Sequence, residues 1–209
     1  MTTNSQVMQQ IQNPYLDEFL KLDLSQLEPL SDTEQEMKKR YACAVPTQEA
    51  LEAIAEYSPI LERGAGGGYW AWCLEQLGVT VDAYDIFSSA HAFINPYCEM
   101  ARTWTNISDS RDPQIYIEDW EQFSLMLCCP LTHNNMAYTI LESYLQIGGQ
   151  QLIYIGEPEG GHDADEYFFR LLYGYGKHPP EMELVTKMPL PCWPGSNDSL
   201  FIYQRLPND

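Results

Sequence analysis

Apolar and polar positions along this chain change their period several times, and each change marks an element. Over residues 1–57 the spacing is helical. Asn13-Pro14 reads as an N-cap and first helical residue, with Asp17 and Glu18 in the acid-favouring first turn. Ser31 with Glu34 has the spacing of a capping box, and Lys38, Lys39 and Arg40 fall near that helix's end, where cations suit the dipole. After a break at Val45-Pro46, residues 47–57 place Ala50, Leu51, Ile54 and Ala55 on one face.

The pattern then changes sharply. Pro59, Ile60 and Leu61 form a short apolar run that ends in Glu62. A glycine-dense turn follows (Gly64, Gly66, Gly67, Gly68), then a helix-compatible stretch over 69–77, a stop at Gly78, and a second apolar run over 79–84 that ends in Asp85. Strand, glycine turn, helix, strand and acid make a nucleotide-binding βαβ unit. Glycines let the backbone approach a ligand, the helix start offers unpaired N–H groups, and the closing acid suits ribose hydroxyls. Two cofactor classes remain open at this point, because residues 66–71 also fit G-x-G-x-x-A, a dinucleotide fingerprint.

Beyond Asp85 the periodicity weakens. Residues 88–100 suit a helix interrupted at Pro96, 105–113 a polar loop, and 114–118 (QIYIE) a short strand ahead of Asp119 and Trp120. Residues 124–129 (SLMLCC) are continuously apolar, as in a strand covered on both faces. Met136, Ile140, Leu141, Tyr144 and Leu145 form a helical stripe, 151–156 (QLIYIG) a fifth strand, and 164–172 an amphipathic helix. Two β-rich runs, 181–190 and 199–205, flank eight turn-forming residues and predict an antiparallel pair. The predicted fold class is α/β: a doubly wound, seven-stranded, mostly parallel sheet with an antiparallel last strand and helices on both faces. Residues 1–57 form an N-terminal helical extension and 58–209 the core.

Composition narrows the function. The 209 residues carry 30 acids against 11 bases, a net charge of −19. That disfavours binding nucleic acid through its phosphates and favours cationic ligands. No apolar run reaches the roughly 18 residues of a membrane helix, and the N-terminus lacks the pattern of a secretory signal. The expectation is a cytoplasmic protein without membrane or nucleic-acid partners, a monomer or homodimer. The six cysteines form no CxxC pair, so no metal site is expected and free thiols are the default.

Several motifs in order resemble the class I methyltransferases that use S-adenosylmethionine. Glu62-Arg63-Gly64-Ala65-Gly66-Gly67-Gly68 resembles their first motif, an acid followed by GxGxG, and Asp85 matches the acid closing the second strand. Asp119 beside Trp120 resembles the adenine-binding acid and its stacking aromatic. Tyr41 through Val45-Pro46, the run ending Cys128-Cys129-Pro130, LIYIGE and CWPG resemble a less-studied branch with Glu-x-Gly-Ala-Gly-x-Gly-Tyr-Trp and Leu-Cys-Trp-Pro motifs. Arg63, Gly67 and Cys129 depart from it, standing where an apolar residue, threonine and tryptophan are usual.

The resemblance implies S-adenosylmethionine as cofactor, with Glu62, Gly64, Ala65, Gly66, Gly68, Asp85, Ile86, Asp119 and Trp120 around it. Tyr41, Tyr69, Cys129, Pro130 and Glu157 are the candidates for the acceptor pocket. Glu157, His133 and His162 follow the fourth and fifth strands, on the edge where open α/β sheets bind ligands, and are the candidate general bases. The aromatics after the turn, the paired cysteines and the histidines have competing readings as core, buried strand and surface loop. The implied activity is methylation of a small molecule, at an amine or other cationic nitrogen. An O-methyltransferase, or a non-catalytic protein that binds the same cofactor, stands as the alternative.

Overall fold

The centre of the sheet forms where the sequence is apolar without alternation. In the computed structural model, which describes residues 10–86, 102–109 and 118–207, β4 (Ser124–Cys128) and β5 (Gln151–Gly156) are buried along nearly their whole length. Such strands need cover on both faces. The other strands are β1 (Ile60–Arg63), β2 (Val81–Asp85), β3 (Ser108–Asp109), β6 (Met182–Pro189) and β7 (Ser199–Arg205). They form one seven-stranded sheet in the order β3-β2-β1-β4-β5-β7-β6. The neighbouring strands from β3 to β5 are parallel, and β7 lies antiparallel between β5 and β6.

The third strand differs from the prediction. Residues 105–113 were expected to be a loop and 114–118 a strand. Instead Ser108 and Asp109 pair with Tyr84 and Asp85. Glu118 belongs to a 3-10 turn, Glu118–Gln122, that leads into β4. Two residues carry no readable periodicity, whereas QIYIE does. The predictions over 88–100 and 114–117 lie outside the described residues.

Helices α4 (Tyr69–Gln76), α5 (Met136–Gln146) and α6 (Glu166–Tyr173) follow β1, β4 and β5. Ahead of the sheet come α1 (Pro14–Phe19), α2 (Asp32–Arg40) and α3 (Gln48–Ala55), each capped by the side chain that precedes it: Asn13, Ser31 and Thr47. Glu34 accepts from Leu30 N–H at 2.8 Å, one residue ahead of the donor a standard capping box would use. No helix among the described residues is long and apolar enough to cross a membrane.

The N-terminal helices share a core with the sheet. Tyr15, Phe19, Tyr41, Leu51 and Ile54 belong to the same buried cluster as Ile60, Tyr69, Trp70, Met126 and Trp193. Polar ties run through this apolar mass, as buried hydroxyls and indoles require. Tyr69 donates to Asn13 Oδ1 at 2.8 Å and accepts from Tyr15 N–H at 3.0 Å. The Trp193 indole donates to the Tyr15 hydroxyl at 3.0 Å, and the Trp70 indole to Ala44 O at 3.2 Å. Tyr69→Phe leaves two buried partners short of a bond and is expected to cost about 1–3 kcal/mol. Urea denaturation measures this, and a loss below roughly 0.5 kcal/mol would contradict the assignment.

Candidate functional site

Between β1 and α4 the chain must reverse within five residues, and it does so on glycine. Gly64, Gly66 and Gly68 have φ of 76°, 56° and 72°, values that side-chain-bearing residues rarely adopt. Gly68 is also fixed by packing: a Cβ there would stand 2.8 Å from Ile107 and 3.0 Å from Thr105. Those residues belong to a segment that lies against the turn, with Trp104 N–H donating to Gly67 O at 2.8 Å. Gly64 and Ala65 N–H both donate to Tyr84 O, which fastens the turn to β2.

Two buried carboxylates support this turn. Asp85, at the end of β2, accepts from Gly66 N–H and Ile86 N–H, each at 2.5 Å and each on a different oxygen. Burial pushes its pKa up, and the two N–H donors and the Arg63 charge oppose that shift. Glu62, at 1% exposure, accepts from the N–H of Ala71 in the first turn of α4. Gly68 has no side chain to cap α4, so Glu62 serves that helix start from β1. Burial, and then the nearby Asp85 charge, raises Glu62 to about 8. One of its oxygens, Oε2, has no hydrogen-bond partner. A buried carboxylate oxygen left unpaired is costly and suits a cationic or N–H-bearing ligand group. Arg63 is itself buried, with its guanidinium 5.6 Å from the Tyr84 ring centre.

Other predicted site residues are placed differently. Trp120 is buried against Tyr84, ring centres 5.2 Å apart at 66°, within the core behind β4. Its turn precedes β4, and β4 begins where Ser124 N–H donates to Pro59 O ahead of β1. Tyr84, on which Trp120 packs, is also the residue whose carbonyl accepts from Gly64 and Ala65 N–H, so Trp120 lies against the strand that fastens the glycine turn. Asp109, at the end of β3 in register with Asp85, is the acid that the topology brings beside the turn. It sat inside a stretch read as loop.

Tyr69 and Tyr41, predicted to touch the acceptor, are 1% and 3% exposed. Tyr41 stacks on Tyr15 at 4.9 Å and donates to Glu18 at 2.7 Å. Both rings hold the N-terminal helices to α4. Glu157 is corrected in the same way. Its oxygens accept from His162 N–H at 2.5 Å and Asn197 N–H at 2.8 Å, so it clamps the loop after β5 to the loop before β7. A carboxylate committed to two backbone donors is poorly placed as a base. His133 and His162 are exposed, with His133 Nδ1 at 3.3 Å from Thr132 Oγ1.

Cys129 and Pro130 do lie at the carboxyl edge. Cys129 has φ of 45°, and Pro130 O accepts from Ala164 N–H at 2.6 Å, which joins the loops after β4 and β5. Around Cys129 the fold assembles Cys128, Cys43, Asp163 and Asp198, a grouping no spacing in the sequence announces. Burial raises Asp163 to about 6, opposed by the Glu157 N–H; burial and then the Asp163 charge raise Asp198 to about 7. A separate cleft of about 620 Å³ lies among residues 10–14, Leu16, Asp17, Gln48 and Glu52, and none of the predicted site residues lines it.

No family profile matches the chain, and no curated protein matches it in sequence. Solved structures do match in fold. Magnesium protoporphyrin IX methyltransferase from Synechocystis PCC 6803 with bound S-adenosylmethionine aligns over 93% of each chain, with a TM-score of 0.51 and 11% identity. Its form with S-adenosylhomocysteine gives 0.51 and 10%, over 93% of this chain and 96% of that one. The N1-methyltransferase for 1,6-didemethyltoxoflavin from Burkholderia thailandensis aligns over 77% and 78%, with a TM-score of 0.49 and 14% identity. The chain thus has the Rossmann-like α/β fold on which the Synechocystis enzyme is built.

The buried Glu62 makes stability depend on pH with a definite sign. Its carboxyl rises from an ordinary value of 4.5 to about 8 in the folded chain. The folded state binds this proton more tightly, so the contribution is full below 4.5 and is lost as pH rises through about 8. Glu62→Gln should therefore exceed wild type in stability by about 1–2 kcal/mol near pH 9 and match it near pH 5. Urea midpoints at both pH values test this, and an equal gap at both would refute it.

Proposed function

We propose that this protein is a methyltransferase that uses S-adenosylmethionine to methylate a small molecule at an amine or other cationic nitrogen. The observation that carries the reading is the pairing at the glycine turn. Asp85 holds Gly66 N–H at the end of β2, and Glu62 presents a buried, unpartnered oxygen beneath the same turn. Glu62 suits the ammonium of the cofactor's methionine part. Asp85 suits ribose hydroxyls, because each of its oxygens keeps a lone pair beyond the N–H it accepts.

When bound, the sulfonium supplies an already activated methyl group. The chain's task is to orient donor and acceptor in line and to keep water out. No metal or nucleophile is required for that displacement. The net charge of −19 draws cations towards the molecule and supports a nitrogen acceptor. An acceptor that arrives protonated loses its proton to water or to an exposed histidine, His133 or His162.

One observation favours a second reading, a non-catalytic protein that binds the same cofactor. The segment carrying Trp104, Thr105 and Ile107 packs directly on Gly67 and Gly68, which narrows the approach to the turn.

Calorimetry with S-adenosylmethionine and S-adenosylhomocysteine is the deciding experiment. Wild type should bind both, and Asp85→Ala should lose at least about tenfold in affinity, about 1.4 kcal/mol. No binding by the folded protein would overturn both readings. Turnover with a panel of amines, guanidines and phenols then separates N-methylation from O-methylation, and binding without turnover on any of them favours the second reading.

A further inference from the structure

Four loops bring ligand-type side chains to one point on the carboxyl edge. Cys129 directly follows β4, Asp163 lies on the loop after β5, and Asp198 immediately precedes β7. A thiol sulfur and one oxygen from each carboxylate all lie within 4.8 Å of one another. Cys43, from the segment between α2 and α3, places its thiol within hydrogen-bonding reach of Cys129. Cys128 Sγ is 4.0 Å from Cys129 Sγ on the other side.

Asp198 is the second and independent observation. It is 5% exposed, and its carboxylate makes no hydrogen bond or ion pair among the described residues. Its backbone is occupied, with O accepting from Leu190 N–H and from the Cys192 thiol, and its side chain points into the cluster, where the Lys38 charge acts on it from a distance. Asp163 accepts one N–H, from Glu157, at 2.9 Å. The nearby cations do not close the account: Lys38 Nζ is bound to Glu34 at 2.8 Å, and His162 is exposed on its loop. Buried carboxylates without partners are rare unless something neutralises them.

We infer that Cys129, Asp163 and Asp198, with Cys43 as fourth ligand, form a binding site for a divalent cation of borderline softness, zinc above all. Thiolate and carboxylate together suit zinc better than magnesium or calcium, which take oxygen alone. On a tetrahedral zinc, ligand atoms stand roughly 3.3–3.7 Å apart, so side chains held within 4.8 Å need close by only about an ångström. The ion would link the N-terminal helices, through Cys43, to three loops at the carboxyl edge. This inference does not rest on the methyl-transfer reading.

The test uses the full chain, purified without a histidine tag, stripped with a chelator and titrated with Co²⁺ and Zn²⁺. The expected result is about one ion per chain, a thiolate-to-cobalt charge-transfer band with the visible bands of a tetrahedral site, and a higher melting temperature with zinc. Cys129→Ser should abolish the charge-transfer contribution of that ligand, and Asp198→Asn should weaken binding at least about tenfold. Asp198→Asn should leave the metal-free melting temperature unchanged or raised, since it removes an unbalanced buried charge. A measurement free of variants accompanies these: zinc should protect Cys43 and Cys129 of the wild-type protein from alkylation, located by mass spectrometry. No retained metal and no cobalt band, binding that survives both variants unchanged, or unprotected Cys43 and Cys129 in the loaded protein would each overturn the inference.

Discussion

Glu62 and Asp85 are two like charges placed beneath the same glycine turn, and the geometry of that turn depends on how their repulsion is contained. Each is the last acid of its strand, β1 or β2, and each is buried. The Arg63 charge favours the ionised form of Asp85. Backbone N–H groups hold both: Gly66 and Ile86 for Asp85, Ala71 for Glu62. Hydrogen bonds to a carboxylate favour its charged form while burial disfavours it, so both acids sit in a contest that a ligand at the turn can tip. Glycine is what makes this arrangement possible. Only a turn with repeated left-handed residues aims the Gly66 N–H at Asp85 while starting α4 over Glu62.

The N-terminal helices bear on this turn through aromatic side chains. Tyr69 is the first residue of α4, and its hydroxyl is the junction between Asn13 and Tyr15. Trp104, whose N–H holds Gly67, packs on Tyr41, Tyr69 and Trp72. Any movement of α1 or α2 is therefore felt at the start of α4 and in the strip that covers Gly68. Close-packed interiors transmit such displacements because they have little free volume to absorb them. In this fold the helical extension is part of the wall behind the turn, and removing it would expose Tyr69, Trp70 and Trp193 together.

Local chemistry made much of this legible from sequence. Caps at Asn13 and Ser31, the glycine turn, the β4 and β5 runs and the final hairpin each depend on residues close together in the chain. What failed was the assignment of side chains to roles set by distant partners. Glu157 looked free at a strand end, but the loop before β7 returns to occupy it. Tyr69 looked poised beside a ligand, but α1 arrives to bury it. β3 was missed because two residues cannot show a period of two. The convergence of Cys43, Cys129, Asp163 and Asp198 has no local signature at all, since a search for paired cysteines sees only spacing along the chain.

That convergence also gives the carboxyl edge an uneven charge. Near the glycine turn the acids are engaged by backbone donors. Towards β5 and β7, Asp163 and Asp198 are buried beside thiols with one N–H donor between them. A low-dielectric site with this imbalance attracts positive charge more strongly than the same acids would in water. Protons supply it when the pH is low, consistent with Asp163 and Asp198 holding their protons to about 6 and about 7. Lys38, bonded to Glu34, is a cation near enough to favour the charged form of both acids. Glu157, through its two N–H bonds, holds the loop after β5 against the loop before β7. The clamp that removes Glu157 from acid–base chemistry is thus what keeps the neighbouring anionic cluster closed, and a closed anionic cluster is what selects for a cation.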